Sequence, residues 1–217
     1  MSKDYPARSS RRQGRGERYA EGGWRRPEGP SYRLFIAVDI PSEATRRLVD
    51  WQREFLVGDR ALRMVPEDQM HVTLVFLGRL KEKELGQASA QLDELGMPEP
   101  FEVTANGLVG LPKGRSPRVI AAGIEAPGEP LGKPDGRLKA IHDQLAAGLV
   151  AKRLYKRETR QFFPHVTIAR ARGRTRLDLS QIHTEPVKFT AVRITLYNSV
   201  LKQGGAVHQA LKTVQLK

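Results

Sequence analysis

The chain has 217 residues, with 37 Lys and Arg against 24 Asp and Glu, a formal net charge of +13 and no cysteine. Disulfides, thiolate zinc sites and a cysteine nucleophile are excluded, and the apolar run Leu34 to Ile40 is too short to span a membrane. A broad positive potential steers polyanions, so RNA, DNA or a nucleotide is the natural class of partner.

Residues 1–30 hold eight of the basic and four of the acidic side chains, with many Gly, Ser and Pro and almost no aliphatic residues. Such a stretch buries too little apolar surface to offset its ordering entropy and reads as a disordered basic arm of charge +4. The remaining +9 is spread over residues 31–217. No apolar segment follows Arg11-Arg12 or Arg25-Arg26, as an export signal would require, so a cytoplasmic protein is expected.

Arg33 to Asp39 reads as the first strand, ended by Pro41 and Ser42. Residues 42–56 read as a helix with Leu48, Trp51 and Phe55 on one face, which makes Trp51 a core residue. Leu62 to Val65 and Met70 to Leu77 read as strands, closed by Gly78, and Glu82 to Leu95 as a helix. Phe101 to Ala105 and Arg118 to Ile124 read as strands joined by a loop containing Gly107, Gly110, Pro112, Lys113, Gly114 and Arg115. That loop is basic enough to touch phosphate, although its spacing matches neither a P-loop nor a dinucleotide fingerprint. Pro134 to Ala151 contains a helix with Leu138, Ile141, Leu145 and Leu149 on one stripe and His142 beside it. Phe163 to Ala169 reads as a strand and Val187 to Leu201 as one long strand. A turn at Gln203-Gly204-Gly205 then returns the chain as Val207 to Leu216, placing His208 on a terminal strand. Interleaved strands with few helices and frequent hairpins favour an α+β fold with largely antiparallel sheets.

One pattern occurs twice: His71-Val72-Thr73-Leu74 and His165-Val166-Thr167-Ile168. On a strand, residues i and i+2 share a face, so each copy presents an imidazole and a hydroxyl on one surface. Two such surfaces face to face supply two imidazoles and two hydroxyls around one small anion, the requirement for metal-free acid/base chemistry at a phosphate ester. A single His-x-Thr is ordinary strand sequence; its repetition between apolar flanks argues for function. A non-catalytic RNA-binding module is one rival. A metal hydrolase is another, disfavoured because no His-Glu-x-x-His helix is present and Glu67 and Asp68 fall before the motif strand.

Five segments together resemble the two-histidine phosphoesterases, specifically the RNA 2′,3′-cyclic phosphodiesterase branch also called 2′-5′ RNA ligase. They are Arg33-Leu-Phe-Ile-Ala-Val-Asp-Ile-Pro41, Met70-His-Val-Thr-Leu-Val-Phe-Leu-Gly78, Pro117-Arg-Val-Ile120, Phe163-Pro-His-Val-Thr-Ile-Ala-Arg170 and Thr195-Leu-Tyr-Asn-Ser199. The resemblance spans residues 33–217. It implies a bilobal α+β domain over residues 31–217, in which two antiparallel sheets related by a pseudo-twofold axis flank a central cleft, with helices outside. It further implies hydrolysis of a terminal RNA 2′,3′-cyclic phosphate to a 2′-phosphate, with His71 as proton donor and His165 as proton acceptor. Thr73 and Thr167 would complete the site and Arg170 would contact the phosphate, with Arg118 and Phe163 as further candidate substrate contacts. No metal or cofactor is expected, the chain is expected to be a monomer, and the reverse, joining reaction is permitted by microscopic reversibility. Ala121 and Leu111 depart from the Trp and Phe of many relatives, which bears on base stacking and pocket shape. Another 2′-5′ linked or ADP-ribose cyclic phosphate substrate would need the same four side chains.

Overall fold

The computed structural model describes residues 30–96, 98–114, 117–125, 136–173, 175, 177–203 and 205–217. The basic arm predicted for residues 1–30 lies outside these but for Pro30, as does Arg115 of the predicted phosphate-contacting loop.

Among the described residues, nine strands and three α-helices follow in the order β1 (Ser31–Asp39), α1 (Ser42–Trp51), β2 (Leu62–Met64), β3 (His71–Lys81), α2 (Glu82–Asp93), β4 (Phe101–Leu111), β5 (Val119–Glu125), α3 (Gly136–Ala151), β6 (His165–Ala171), β7 (Val187–Ala191), β8 (Arg193–Lys202) and β9 (Gly205–Gln215). Every strand pairing is antiparallel, in the order β7-β4-β5-β6-β3-β1-β8-β9, with short β2 laid on β6. The two motif strands, β3 and β6, sit at the centre and are joined through a single residue pair, Val72 with Val166. On either side the order reads as two equivalent halves, β3-β1-β8-β9 and β6-β5-β4-β7. The two predicted sheets are thus one antiparallel sheet with a narrow waist.

Alternation supplies the core. Leu34, Ile36 and Val38 of β1, Val72 and Leu74 of β3, Ile120, Ala122 and Ile124 of β5, Val166 and Ile168 of β6, and Ile194 and Leu196 of β8 are buried. They meet Leu48 and Trp51 of α1, Leu92 of α2, and Leu138, Leu145 and Leu149 of α3 in one cluster. Each fully buried aliphatic side chain contributes about 1.5–3 kcal/mol, so the helices are held by their apolar stripes. Trp51 and the α3 stripe fall where the periodicity predicts.

Four expectations are corrected. The motif strand expected to close at Gly78 runs on through it to Lys81, paired with β1. The run from Val187 to Leu201 is two strands broken at Val192: β7 pairs with β4 at one edge of the sheet, and β8 pairs with β1 and β9 in the other half. Val-Lys-Phe-Thr-Ala-Val-Arg-Ile has no glycine or proline to mark the crossing. Gly107 and Gly110 belong to β4, which runs on to Leu111; Gly107, at φ 66°, is the extra residue of a bulge opposite Gly123 and Ala122. The helix predicted over 42–56 keeps an α geometry only to Trp51 and ends in a π-helical turn, Gln52–Leu56.

Candidate active site

The register at the waist arranges the two motifs. Antiparallel pairing of Val72 with Val166 sets His71 across from Thr167 and Thr73 across from His165. Val72 and Val166 point into the core and are fully buried, so the four polar side chains share the opposite face. The neighbouring strands leave room above that face: Thr73 is flanked by Ala37 and Thr167 by Ala121, both buried. Ala121, the departure from the family pattern, therefore matches Ala37 across the pseudo-symmetry.

Each motif strand carries a bulge one residue past its threonine. Leu74 of β3 has no partner on β1, and Ile168 of β6 none on β5. A bulge puts two consecutive side chains on one side and shifts the alternation after it. Leu74 and Val75, like Ile168 and Ala169, are consecutive and buried. The next residue, Phe76 in one strand and Arg170 in the other, then falls on the cleft face. The carbonyls of both bulge residues accept hydrogen bonds from side chains of the packed helical segments. His142 Nδ1 of α3 donates to Leu74 O at 2.8 Å, and Gln52 Nε2 of the π-helical turn donates to Ile168 O at 2.7 Å. Gln52 also donates to Val65 O at 2.8 Å. His142, stacked on Phe162 at 4.1 Å and 7°, is thereby a structural residue rather than a spare catalyst.

The two motif histidines are anchored alike. His71 Nδ1 lies 2.8 Å from Gln69 O and His165 Nδ1 lies 2.9 Å from Phe163 O. A carbonyl only accepts, so each Nδ1 carries the hydrogen and each Nε2 is left as the titrating atom. Burial is the largest cause depressing both rings. His71 falls to about 4, helped next by repulsion from His208 and then by His165 and Arg170. His165 is lowered by burial and by Arg170. Without a bound anion both imidazoles are neutral at pH 7.

The surroundings differ between the halves. On the His71 side, Phe35 stacks at 4.7 Å from His71 and 5.2 Å from Tyr197. Asp39, the cross-strand neighbour of His71, accepts from Tyr197 Oη at 2.8 Å and from Thr195 Oγ1 at 3.1 Å, with Arg193 Nε 3.3 Å away. That carboxylate pushes the Tyr197 hydroxyl's pKa further up, after burial. A small recess joins His71, Thr167, Arg170, Arg63 and His208. The Arg170 guanidinium has its pKa lowered by burial and by Arg63 and Arg33, the mark of converging cations.

On the His165 side a cleft of about 1390 Å³ opens beside Thr73 and His165. Phe76, Phe163 and Arg118 line it, with Lys113 Nζ 5.8 Å from the Phe163 ring centre. Arg157, Arg160 and Arg172 continue its positive wall. The structure therefore gathers His71, His165, Thr73, Thr167 and Arg170 on one face and sets Arg118 and Phe163 in the adjoining cleft. His208 and Phe76 were not among the sequence candidates. Phe76 could have been found from its place five residues after His71, matching Arg170 after His165; His208 carries no motif.

An antiparallel sheet folded about a duplicated His-x-Thr strand defines a two-histidine phosphoesterase. The model of the LigT-like phosphoesterases matches residues 38–121. The chain is 32% identical over 190 residues to the RNA 2′,3′-cyclic phosphodiesterase of Thermus thermophilus, covering 85% of this chain and 90% of that protein. It is 25% identical over 190 residues to the protein of the same name from Thermotoga maritima, with 85% and 96% covered. In fold it is similar to Escherichia coli LigT complexed with 3′-AMP, at a TM-score of 0.72 and 22% identity, over 86% of this chain and 99% of the other. The chain belongs to the LigT-like, RNA 2′,3′-cyclic phosphodiesterase family of two-histidine phosphoesterases.

Proposed function

We propose that this enzyme opens the terminal 2′,3′-cyclic phosphate of RNA to a 2′-phosphate by metal-independent acid/base catalysis. The observation that carries this reading is the register at Val72 and Val166, which sets two Nδ1-anchored imidazoles and two threonine hydroxyls on one face. Neutral His165 Nε2 takes a proton from water as the water oxygen bonds to phosphorus. The bond from phosphorus to the 3′ oxygen breaks, and His71 Nε2–H gives its proton to that oxygen, leaving a 3′-hydroxyl and a 2′-phosphate. Thr73, Thr167 and Arg170 hold the non-bridging oxygens as charge builds.

His71 must be protonated for its step, whereas its burial favours the neutral ring. The cyclic phosphodiester is an anion, and its arrival beside the ring offsets the burial and repulsion that depress the imidazole. Substrate binding and protonation of the donor are thus coupled. The phosphate belongs at the Arg170 end of the site, and the nucleoside lies toward Phe76 and Phe163. The basic wall of the cleft, from Lys113 and Arg118 to Arg157 and Arg160, accepts the preceding phosphates. A 5′-hydroxyl replacing water as nucleophile would form a 2′-5′ linkage by the same steps.

The test is turnover of a short RNA ending in 2′,3′-cyclic phosphate by wild type, His71→Ala and His165→Ala. Conversion to the 2′-phosphate by wild type, with each variant down by roughly 100-fold or more, is expected. Absence of turnover by the folded wild type would overturn the substrate assignment.

A further inference from the structure

We propose that His208 is a third substrate-contacting histidine, which donates a hydrogen bond from Nε2 to a non-bridging oxygen of the phosphate held by Arg170. The inference deepens the proposed function, since it names a further contact to the same phosphate.

The placement comes from the closing hairpin. β9 returns beside β8 with Ser199 opposite His208 and Lys202 opposite Gly205. With β1 and β8 between its strand and β3, His208 nevertheless reaches the motif face, because Phe35 and Tyr197 form an aromatic floor beneath it. Its ring stands edge-on to Phe35 at 4.9 Å and edge-on to His71 at 5.2 Å, nearly perpendicular at 87°. It opens on the same recess as His71, Thr167 and Arg170. Gly205, at the start of β9, lies close to the same recess: a Cβ there would come 2.6 Å from Arg63 Nη1, the guanidinium that shares it.

The protonation pattern fixes what His208 offers. Its Nδ1 is the one buried side-chain nitrogen or oxygen without a hydrogen-bond partner among the described residues. An N–H at that position would be a buried donor with no acceptor, which costs more than an unfilled lone pair, so the neutral ring carries its hydrogen on Nε2. This is the opposite tautomer to His71 and His165, whose Nδ1 hydrogens are spent on carbonyls and whose Nε2 atoms exchange protons. His208 is therefore unsuited to act as a base and suited to donate to an oxyanion.

The groups facing it agree. Burial and the Arg170 charge keep the ring below the usual histidine range, with Arg33 adding to them and Asp68 opposing. Tyr197, 6.3 Å away, stays a neutral phenol because its hydroxyl is tied to Asp39. A neutral donor at this point adds a hydrogen bond to the phosphate without adding a further full charge to a site that already gathers Arg33, Arg63 and Arg170.

The experiment is imidazole ¹⁵N NMR of the full chain with and without inorganic phosphate, alongside kinetics of His208→Leu and His208→Gln on the cyclic-phosphate RNA. In the free protein at pH 7 His208 is expected as the Nε2–H tautomer, and phosphate is expected to shift that signal together with those of His71 and His165. His208→Leu should lower kcat/KM by roughly 10- to 100-fold, and His208→Gln, whose amide N–H reaches a similar position, should recover most of it. An Nδ1–H tautomer, or a His208 signal unmoved by phosphate while those of His71 and His165 move, would overturn the proposal. If the wild type binds phosphate through all three rings yet leaves the RNA intact, the substrate assignment fails and the His208 contact stands.

Discussion

Replacing His71 by Asn should make the protein more resistant to acid, relative to wild type, even though it removes a ring from the site. The unfolded chain titrates His71 at about 6.5, and the native state at about 4. Between those values the unfolded chain binds a proton that the native protein does not, so stability falls as pH drops through 6.5 toward 4 and levels off below. At pH 4.5 the linkage amounts to about 2.5 kcal/mol. Water reaching the open Nε2 screens part of it, leaving about 2 kcal/mol as the working figure. Asn keeps a donor for Gln69 O near the Nδ1 position but has no proton to gain. The lost packing against Phe35 costs the variant a constant amount at every pH. His165 and His208 are also depressed and carry the same sign, but they remain in both proteins and largely cancel in the difference. Urea unfolding of both proteins at pH 7.5 and 4.5 should show the gap moving in the variant's favour by about 2 kcal/mol, roughly a 1 M relative shift of midpoint for a chain of this size. Parallel losses of stability in the two proteins would refute the reasoning, because they would mean that His71 titrates alike folded and unfolded.

Under the proposed mechanism the same depression also sets the pH dependence of turnover. kcat/KM, which reports the free enzyme, should peak on the acid side of neutrality, and kcat at a higher pH once the phosphate has raised His71; coincident profiles would argue against that coupling. Turnover should be unchanged in excess chelator, and its abolition there would reject the metal-independent mechanism. Arg170→Met should cost roughly 10- to 100-fold in kcat/KM through the lost charge-assisted bonds, an effect checked by phosphate competition as well as turnover. Gln52→Leu leaves Val65 O without its side-chain donor and Ile168 O with only the Val65 amide; it should destabilise the fold by about 1–3 kcal/mol and raise KM for RNA, measured by urea unfolding and steady-state kinetics.

How much of the site was legible follows from which forces wrote it. The His and Thr of each motif lie at i and i+2, and strand alternation alone puts them on one face. Arg170 lies five residues from His165, an odd offset that simple alternation sends to the opposite face. Only the bulge at Ile168 brings it round, and that bulge is held by a glutamine more than a hundred residues away in the chain. Family resemblance pointed to Arg170 where periodicity could not. His208 was invisible for a related reason: it reaches His71 through three lateral strand pairings and an aromatic floor, none of which leaves a local pattern. The crossing at Val192 was missed because an unbroken β-prone run gives no sign of changing partners.

The duplication also explains why the chemistry needs residues outside it. Two His-Val-Thr copies on matching strands give two similarly held imidazoles, yet the proposed acid and base must be unlike at the same instant. The inequality enters at positions the repeat does not control. Five residues after the histidine, one copy has Phe76 and the other Arg170, the difference on which the proposed nucleoside and phosphate ends rest. Across the neighbouring strand, His71 faces Asp39 while His165 faces Gly123. The carboxylate of Asp39 is engaged by Tyr197, Thr195 and Arg193, so it holds the wall beside His71 in place rather than titrating with it. His208 stands on that same side alone. Matching strands place the two rings, and in the proposed mechanism it is these unmatched neighbours that would set donor apart from acceptor.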